Sequence, residues 1–336
     1  MRQHEKETEI AKTESAPYRY PMQSPVRTIL CATDFSRHGI DVIRFSAGLS
    51  RALDARLQVF HAVCHGRTPG TDSTPHPSES ARARQTEKIR RQVQSILGDR
   101  AAPWDAVVRF GDPVDEITAV TRSEAVDLVV AASYGLPGWK RFLLGTVVES
   151  MAAVLDTPLW VMPAGRDAAT LPREILIACE LTEDDHPLYR WATPLAAAFE
   201  SRMHWVNVAE SPVYPEMVEP DTGPYGETQQ ILQERLNQQL IARQPTSPRV
   251  KSQSRTAVLT GNAGEALITY ARRQSVDLIV AGLHRKPSSG KHQISSTALA
   301  LLRRAPCAVM TVPLGTADPD RFRRQRYGRQ KRNAEP

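Results

Sequence analysis

The stretch that decides the fold is residues 126–148, V-D-L-V-V-A-A-S-Y-G-L-P-G-W-K-R-F-L-L-G-T-V-V. It opens with an apolar, β-branched run, Leu128 to Ala132, of the kind found in strands that are buried on both faces. The chain then passes Gly135, and an apolar pattern at helical spacing begins after Gly145 and Thr146. These features predict a strand, a glycine-containing loop and a helix N-terminus. Because glycine tolerates positive φ and the first N–H groups of a helix attract anions, we interpret the loop as a phosphate site.

Patterns of the same kind surround this stretch. Val42, Phe45 and Leu49 recur on one face of an amphipathic helix, and further helical patterns lie between apolar runs. The order β-α-β-α-β-α-β-α-β predicts a doubly wound parallel sheet of class α/β. The five predicted strands are Arg27 to Ala32, Leu57 to Val63, Ala106 to Phe110, Leu128 to Ala132 and Pro158 to Met162.

The whole pattern then occurs a second time. Residues 173–178 repeat residues 27–32 at an offset of 146, and residues 276–281 repeat residues 126–131 at an offset of 150. One period that covers half of the chain indicates a duplicated domain and not a solenoid. The predicted organisation is a disordered arm at 1–24, a first domain at 25–165, a linker at 166–172, a second domain at 173–314 and a basic tail at 315–336.

The net charge of +6 comes from the tail. Residues 321–336 hold seven Lys and Arg against Glu335, so the other residues sum to zero. The basic balance therefore says little about the surface of the domains. Phe322 and Tyr327 lie among the basic residues, which suits contact with a nucleic acid or an acidic partner, although a solvated tail has the same composition.

Composition also narrows the cellular setting. No apolar run is long enough for a membrane span, and the N-terminus lacks the apolar segment of an export signal. The cysteines form no C-x-x-C and no zinc spacing, and Cys31, Cys179 and Cys307 fall in predicted strands, where reduced core thiols are expected. We therefore predict a cytoplasmic protein.

The sequence gives little support for enzymatic chemistry. It contains no G-x-S-x-G, H-E-x-x-H or Walker G-x4-G-K-[ST] pattern. His61, Cys64 and His65 could be combined into a metal site, but such residues occur by chance at the end of a strand, and we assign no metal to them.

The spaced loop, the strand that ends in Ala32-Thr33-Asp34 and the duplication together resemble the universal stress protein family, in its tandem form, over about residues 25–314. That family carries G-x2-G-x9-G-[ST], and this chain reads Ala132-x2-Gly135-x9-Gly145-Thr146. The alanine in place of the first glycine limits how closely the backbone there can approach a ligand. The resemblance implies two Rossmann-like sheets, each with the strand order 3-2-1-4-5.

With that order, a ligand site is expected where the order reverses, between the ends of strands one and four. In ATP-binding members of the family the aspartate contacts the nucleoside and the glycine loop holds ribose and phosphates. The resemblance therefore implies that the N-terminal domain binds ATP, ADP or AMP, with or without Mg²⁺. The implied site residues are Thr33, Asp34, Ala62, Ala131, Ala132, Gly135, Gly145, Thr146 and Val147.

Two interpretations of these residues stay open. Asp34 would also suit a helix cap or a turn, where aspartate is favoured without any ligand. Lys140 and Arg141 lie inside the loop and could neutralise phosphate, or could simply be exposed bases.

The second copy has lost the pattern. Glu180 replaces Asp34, and the loop reads Gly282-x2-Arg285-x9-Ser295-Ser296. We predict a structural domain there, although basic residues in its loop could hold an anion. These residues are His284, Arg285, Lys286, Lys291 and His292.

The resemblance suggests a stress-response regulator. We predict at most weak ATP hydrolysis, because no general base or metal-holding acid beyond Asp34 is evident. A dimerising adaptor that binds no nucleotide is the alternative, and a slow ATPase is a third. The apolar fifth strands, Leu159 to Met162 and Ala308 to Val312, predict that the two domains, or two chains, pair through these edges.

Overall fold

The computed structural model describes residues 24–64, 78–98, 103–133, 146–163, 165, 170–182, 185–209, 224–245, 253–288 and 291–314. The basic tail and nearly all of the N-terminal arm lie outside these residues. Within them, no helix has the length and apolar character that crossing a membrane requires.

The first half alternates strands and helices as the sequence predicts. The turn before α3 shows why a helix begins there: the Asp112 side chain accepts the N–H groups of Val114 and Asp115 at 2.9 and 3.2 Å, and Pro113 fixes the first helical φ. The elements are β1 Thr28–Ala32, α1 Arg37–Leu53, β2 Arg56–Val63, α2 Glu79–Leu97, β3 Trp104–Phe110, α3 Pro113–Ser123, β4 Leu128–Ala132, α4 Thr146–Val154 and β5 Leu159–Met162.

The second half repeats this order, and it contains an antiparallel hairpin, β10–β11, between its fourth strand and fourth helix. The repeat extends to the backbone: Asp54 ends α1 with φ 50°, and Glu200 ends α5 with φ 56°, both left-handed. The elements are β6 Glu174–Cys179, α5 His186–Phe199, β7 Arg202–Ala209, α6 Pro224–Arg243, β8 Ser254–Thr260, α7 Ala263–Arg273, β9 Leu278–Leu283, β10 Arg285–Ser288, β11 Lys291–Ile294, α8 Ser296–Arg304 and β12 Ala308–Pro313.

Ten of these strands form a single sheet in the order β3-β2-β1-β4-β5-β12-β9-β6-β7-β8. Each half is parallel and has the predicted order 3-2-1-4-5. The two five-stranded sheets are continuous, however, because β5 and β12 pair antiparallel with Trp160 opposite Met310. The predicted pairing of the fifth strands is therefore present between the halves of one chain, where it satisfies two edges that would otherwise expose unpaired backbone groups.

Helices cover both faces of this sheet. Side chains alternate along the strands, so that Leu128 belongs to one core and Val129 to the other. The core that contains Leu128 is formed with α1, α2 and α5, and the opposite core is formed with α3, α4, α7 and α8. Each core runs through both halves, so the seam between β5 and β12 is buried on both sides.

Asp127 connects the start of β4 to the start of β1. Its Oδ2 accepts the N–H groups of Arg27 and Thr28 at 2.8 and 3.0 Å. The second half repeats this contact with Asp277. We expect Asp127→Ala to lower the free energy of unfolding by about 1–3 kcal/mol, because two backbone donors lose a charged acceptor.

Urea denaturation of the full chain measures this loss. Asp105→Ala is the matched control, since among the described residues Asp105 pairs with the exposed Arg56 side chain. Its loss should lower the free energy of unfolding by less than about 1 kcal/mol. Equal losses for the two variants would show that Asp127 has no special role in joining the strands.

Candidate functional site

The strand order of the first half reverses between β1 and β4. Ala32, the last residue of β1, pairs with Ala131 of β4, so the two strands end side by side. α1 continues from β1 on one face of the sheet, and α4 packs on the opposite face. We call the gap beyond these strand ends the first crevice; it is the position at which open α/β sheets bind ligands.

A tight turn places Asp34 at this crevice. The Thr33 N–H still donates to Phe60 O at 3.0 Å, as in the sheet, and Thr33 Oγ1 accepts the Phe35 N–H at 3.0 Å. Asp34 Oδ1 accepts the Ser36 N–H at 2.9 Å. The residue that caps α1 is Ser36, not Asp34. Asp34 thus has the turn role that the sequence left open, and it is also exposed at the mouth of the crevice.

The first turn of α1 packs closely against this turn. A Cβ at Gly39 would lie 2.6 Å from Asp34 Oδ1 and 2.7 Å from Thr33 Oγ1, so only a glycine fits without a shift. Gly39 is not among the predicted site residues. Its signal was a glycine in the first turn of an amphipathic helix, where glycine is otherwise unfavourable.

His61 is a second residue that the sequence analysis did not place here. Its Nδ1 lies 2.9 Å from Thr33 O, and its ring contacts Phe35 with centroids 5.1 Å apart. Of the two residues considered with it for a metal, Cys64 is exposed and His65 lies outside the described residues. In the part of the chain that the structure describes, no group of three or more His, Cys, Asp or Glu could hold a metal ion.

All four cysteines are free. Cys31, Cys179 and Cys307 are buried in the core, as predicted for reduced thiols. Burial raises the pKa of the Cys31 thiol to about 12, although the nearby Ser46 hydroxyl opposes the shift. Burial raises the pKa of the Cys179 thiol as well. The Cys31 and Cys179 thiols are therefore protonated and unreactive at neutral pH.

The predicted apolar site residues are not all brought together. Ala62, Ala131 and Val147 pack with the core of α3 and α4. Ala132 packs with the opposite core, near α1. There it contributes to a small pocket whose other lining residues are His38, Asp41, Val42, Met162, Pro163 and Gly165. Ala132 is thus separated by the sheet from the wall formed by the other three residues.

The phosphate part of the predicted site is described only at its helix. α4 begins at Thr146, and Glu149 lies in its first turn. Gly135, Lys140, Arg141 and Gly145 lie outside the described residues, so their proposed roles stay predictions.

The equivalent gap in the second half, between the ends of β6 and β9, is the second crevice. Glu180 takes the position of Asp34, and its Oε2 lies 3.0 Å from His284 Nε2, which bridges the two strands. Leu314 fills the space above Gly282, because a Cβ at Gly282 would lie 2.3 Å from Leu314 Cδ1. Of the other basic loop residues, Arg285, Lys286, Lys291 and His292 belong to the β10–β11 hairpin, and their side chains lie outside the described residues.

Asp185 takes the position of Gly39, at the offset of 146, and it is fully buried. Its Oδ2 accepts the Leu181 N–H at 2.7 Å and the Tyr189 hydroxyl at 2.9 Å. Burial raises the pKa of Asp185, although these two hydrogen bonds oppose the shift. Leu181 has φ 62° and Phe35 has φ 58°, so the turn is retained while its acceptor changes from Thr33 to Asp185. Side chains of the second half therefore occupy its own crevice.

Comparison with known proteins agrees with the duplication. A model described as the Universal stress protein family matches residues 25–163 and again residues 172–313. A universal stress protein from Thermus aquaticus, encoded in the QAH/OAS sulfhydrylase 3′ region, is 27% identical over 135 residues, which are 40% of this chain and 96% of that protein.

Solved structures show the same architecture. A universal stress protein from Archaeoglobus fulgidus DSM 4304 superposes with a TM-score of 0.63 at 16% identity, covering 87% of this chain and 99% of that one. The functionally unknown protein PA1789 from Pseudomonas aeruginosa PAO1 superposes with a TM-score of 0.62 at 14% identity, covering 92% and 99%. At these identities the likeness shows the fold alone.

Proposed function

Since the chain belongs to the universal stress protein family in both of its halves, we propose that it is a stress-response regulator whose first half binds an adenine nucleotide. The observation that carries this proposal is the position of Asp34. It lies beyond β1 where the strand order reverses, beside the end of β4, the strand from which the chain continues to α4. A carboxylate and a helix N-terminus at one crevice suit a molecule with a polar base or sugar at one end and phosphates at the other.

These positions suggest which groups contact the nucleoside and which contact the phosphates. Asp34 accepts a hydrogen bond from the nucleoside, and one of its oxygens is already oriented by the Ser36 N–H. The glycine loop and the first N–H groups of α4 bind the phosphates. We expect one nucleotide per chain, because Asp185 and the Glu180–His284 pair occupy the second crevice.

We propose that the nucleotide acts as a ligand and that hydrolysis is at most slow. Phosphoryl transfer needs an oriented water and a neutralised phosphate. In the described part of the first crevice, the Asp34 carboxylate accepts a hydrogen bond within its own turn, and His61 Nδ1 lies within hydrogen-bond distance of Thr33 O. Mg²⁺ would then arrive with the nucleotide. A cytoplasmic location belongs to the same proposal and is supported by the free cysteines.

The test is calorimetric titration of the full chain with ATP, ADP, AMP and cAMP. We expect Asp34→Ala to weaken binding tenfold or more, and Asp34→Asn, which keeps the turn acceptor, to weaken it less. Glu180→Ala is the matched control at the equivalent position of the second half, and it should bind like the wild type.

Equal affinities of Asp34→Ala and the wild type would place the nucleotide elsewhere. A wild-type chain that binds none of the four nucleotides, and whose melting temperature millimolar ATP does not change, would favour the adaptor alternative. ATP turnover that disappears in Asp34→Ala would favour an enzyme.

A further inference from the structure

An ion pair joins the two halves next to the proposed nucleotide site. Arg303 lies in the last turn of α8, in the second half, and Glu149 lies in the first turn of α4, in the first half. Nε and Nη2 of Arg303 are 2.8 and 2.6 Å from Glu149 Oε1. Both side chains are partly exposed, at 40% and 29%.

The antiparallel seam explains how this arginine reaches the first turn of α4. β5 and β12 run in opposite directions, and so do the helices that precede them, α4 and α8. The N-terminus of α4 and the C-terminus of α8 therefore lie at the same edge of the sheet. The last turn of α8 therefore lies beside the first turn of α4. That edge is where β1 and β4 end and where the first crevice opens.

The charge of Glu149 matters at this position. An acid in the first turn stabilises the helix itself, but its negative charge repels a phosphate held by the same N–H groups. Arg303 offsets that charge. At an offset of 150, the position equivalent to Glu149 is Leu299 in the second half, and the position equivalent to Arg303 is Ala153 in the first half. Both residues are uncharged, so the second crevice has no counterpart of this ion pair.

We propose that Arg303 is a positioning residue through which the second half sets the phosphate affinity of the first half. The proposal rests on the proposed function, and it assigns the second half a role at a site that it does not line. It predicts that removing the charge of Arg303 weakens the binding of a ligand in proportion to the number of its phosphates. The binding of the nucleoside part should not change.

The experiment is a double-mutant cycle on the full chain, with calorimetric titration of ATP and of adenosine at low salt. We expect Arg303→Gln to weaken ATP binding about three- to tenfold and to change adenosine binding less than about twofold. The loss should shrink at about 0.5 M salt. Arg303→Gln combined with Glu149→Gln should restore wild-type ATP affinity, because both charges are then absent.

Arg304→Gln is the matched control, since Arg304 is the next residue of α8 and pairs with Glu265 inside the second half. Arg304→Gln should bind both ATP and adenosine with wild-type affinity. If the wild type binds ATP and Arg303→Gln binds it equally well, the role of Arg303 is overturned and the proposed function stands. Equal weakening of ATP and adenosine would show a merely structural role and would also overturn it. A wild type that binds neither ligand overturns both proposals.

Discussion

Trp160→Ala should lower the free energy of unfolding by about 3–5 kcal/mol, the largest loss that we expect from a single substitution in this chain. Trp160 is fully buried in β5, where it pairs with Val130 of β4 on one side and with Met310 of β12 on the other. Its ring packs on Phe45 of α1, with centroids 5.4 Å apart. Removing it opens a cavity at the seam between the halves, so both halves should lose stability together.

Trp104→Ala is the control, because Trp104 lies half-buried on the edge strand β3 and should cost clearly less. Trp160→Phe keeps an aromatic ring at the seam and removes the polar Nε1–H group. The Nε1–H of Trp160 is buried and has no hydrogen-bond partner among the described residues, so losing it removes an unfavourable group and offsets part of the lost volume. Urea denaturation measures all three. A loss for Trp160→Ala no greater than that for Trp104→Ala would show that the seam is not a packed core.

Asp185→Ala should lower the free energy of unfolding by about 2–5 kcal/mol. The substitution leaves two buried donors, the Leu181 N–H and the Tyr189 hydroxyl, without their acceptor. A buried donor left unpaired costs about 1–3 kcal/mol. Asp185→Asn keeps an acceptor for both donors and should stay close to the wild type under mildly acidic conditions.

The pH dependence gives the sharper test. Burial raises the pKa of Asp185 in the folded chain above the value of about 3.9 expected in the unfolded chain. The unfolded state therefore releases the proton first, and the stability contributed by this group is present below pH ~4 and is lost as the pH rises through the folded pKa. Asp185→Asn does not titrate. Its stability relative to the wild type should therefore increase as the pH rises above about 4, as measured by urea denaturation at each pH. A difference that is constant with pH would contradict the raised pKa.

Most of the fold could be predicted from the sequence because its signals are periodic and occur twice. Buried β-branched runs such as Leu128–Ala132 allow few alternatives, and the second copy repeats them at fixed offsets. Asp34 could be placed because a strand end in a parallel sheet fixes the edge at which the next residue lies. The family match supports the same organisation.

What the sequence did not reveal depends on contacts between elements. The need for glycine at position 39 arises from the side chains of Thr33 and Asp34, which approach it from a different element. The role of Asp185 depends in the same way on the Leu181 N–H, which reaches it from the turn after β6. Ala132 and Ala131 lie on opposite faces of the sheet because successive side chains of a strand alternate between its two faces. The predicted set of site residues did not take this alternation into account.

The pairing of β5 with β12 inside one chain has an evolutionary consequence. In a homodimer every substitution appears in both subunits, so a site cannot be lost on one side and kept on the other. Here the two paired halves are different segments of one chain, and selection can act on each segment alone. Asp185 and Leu314 could therefore arise in one copy while the other retained Gly39, and covalent fusion thus permits a division of labour that symmetry forbids.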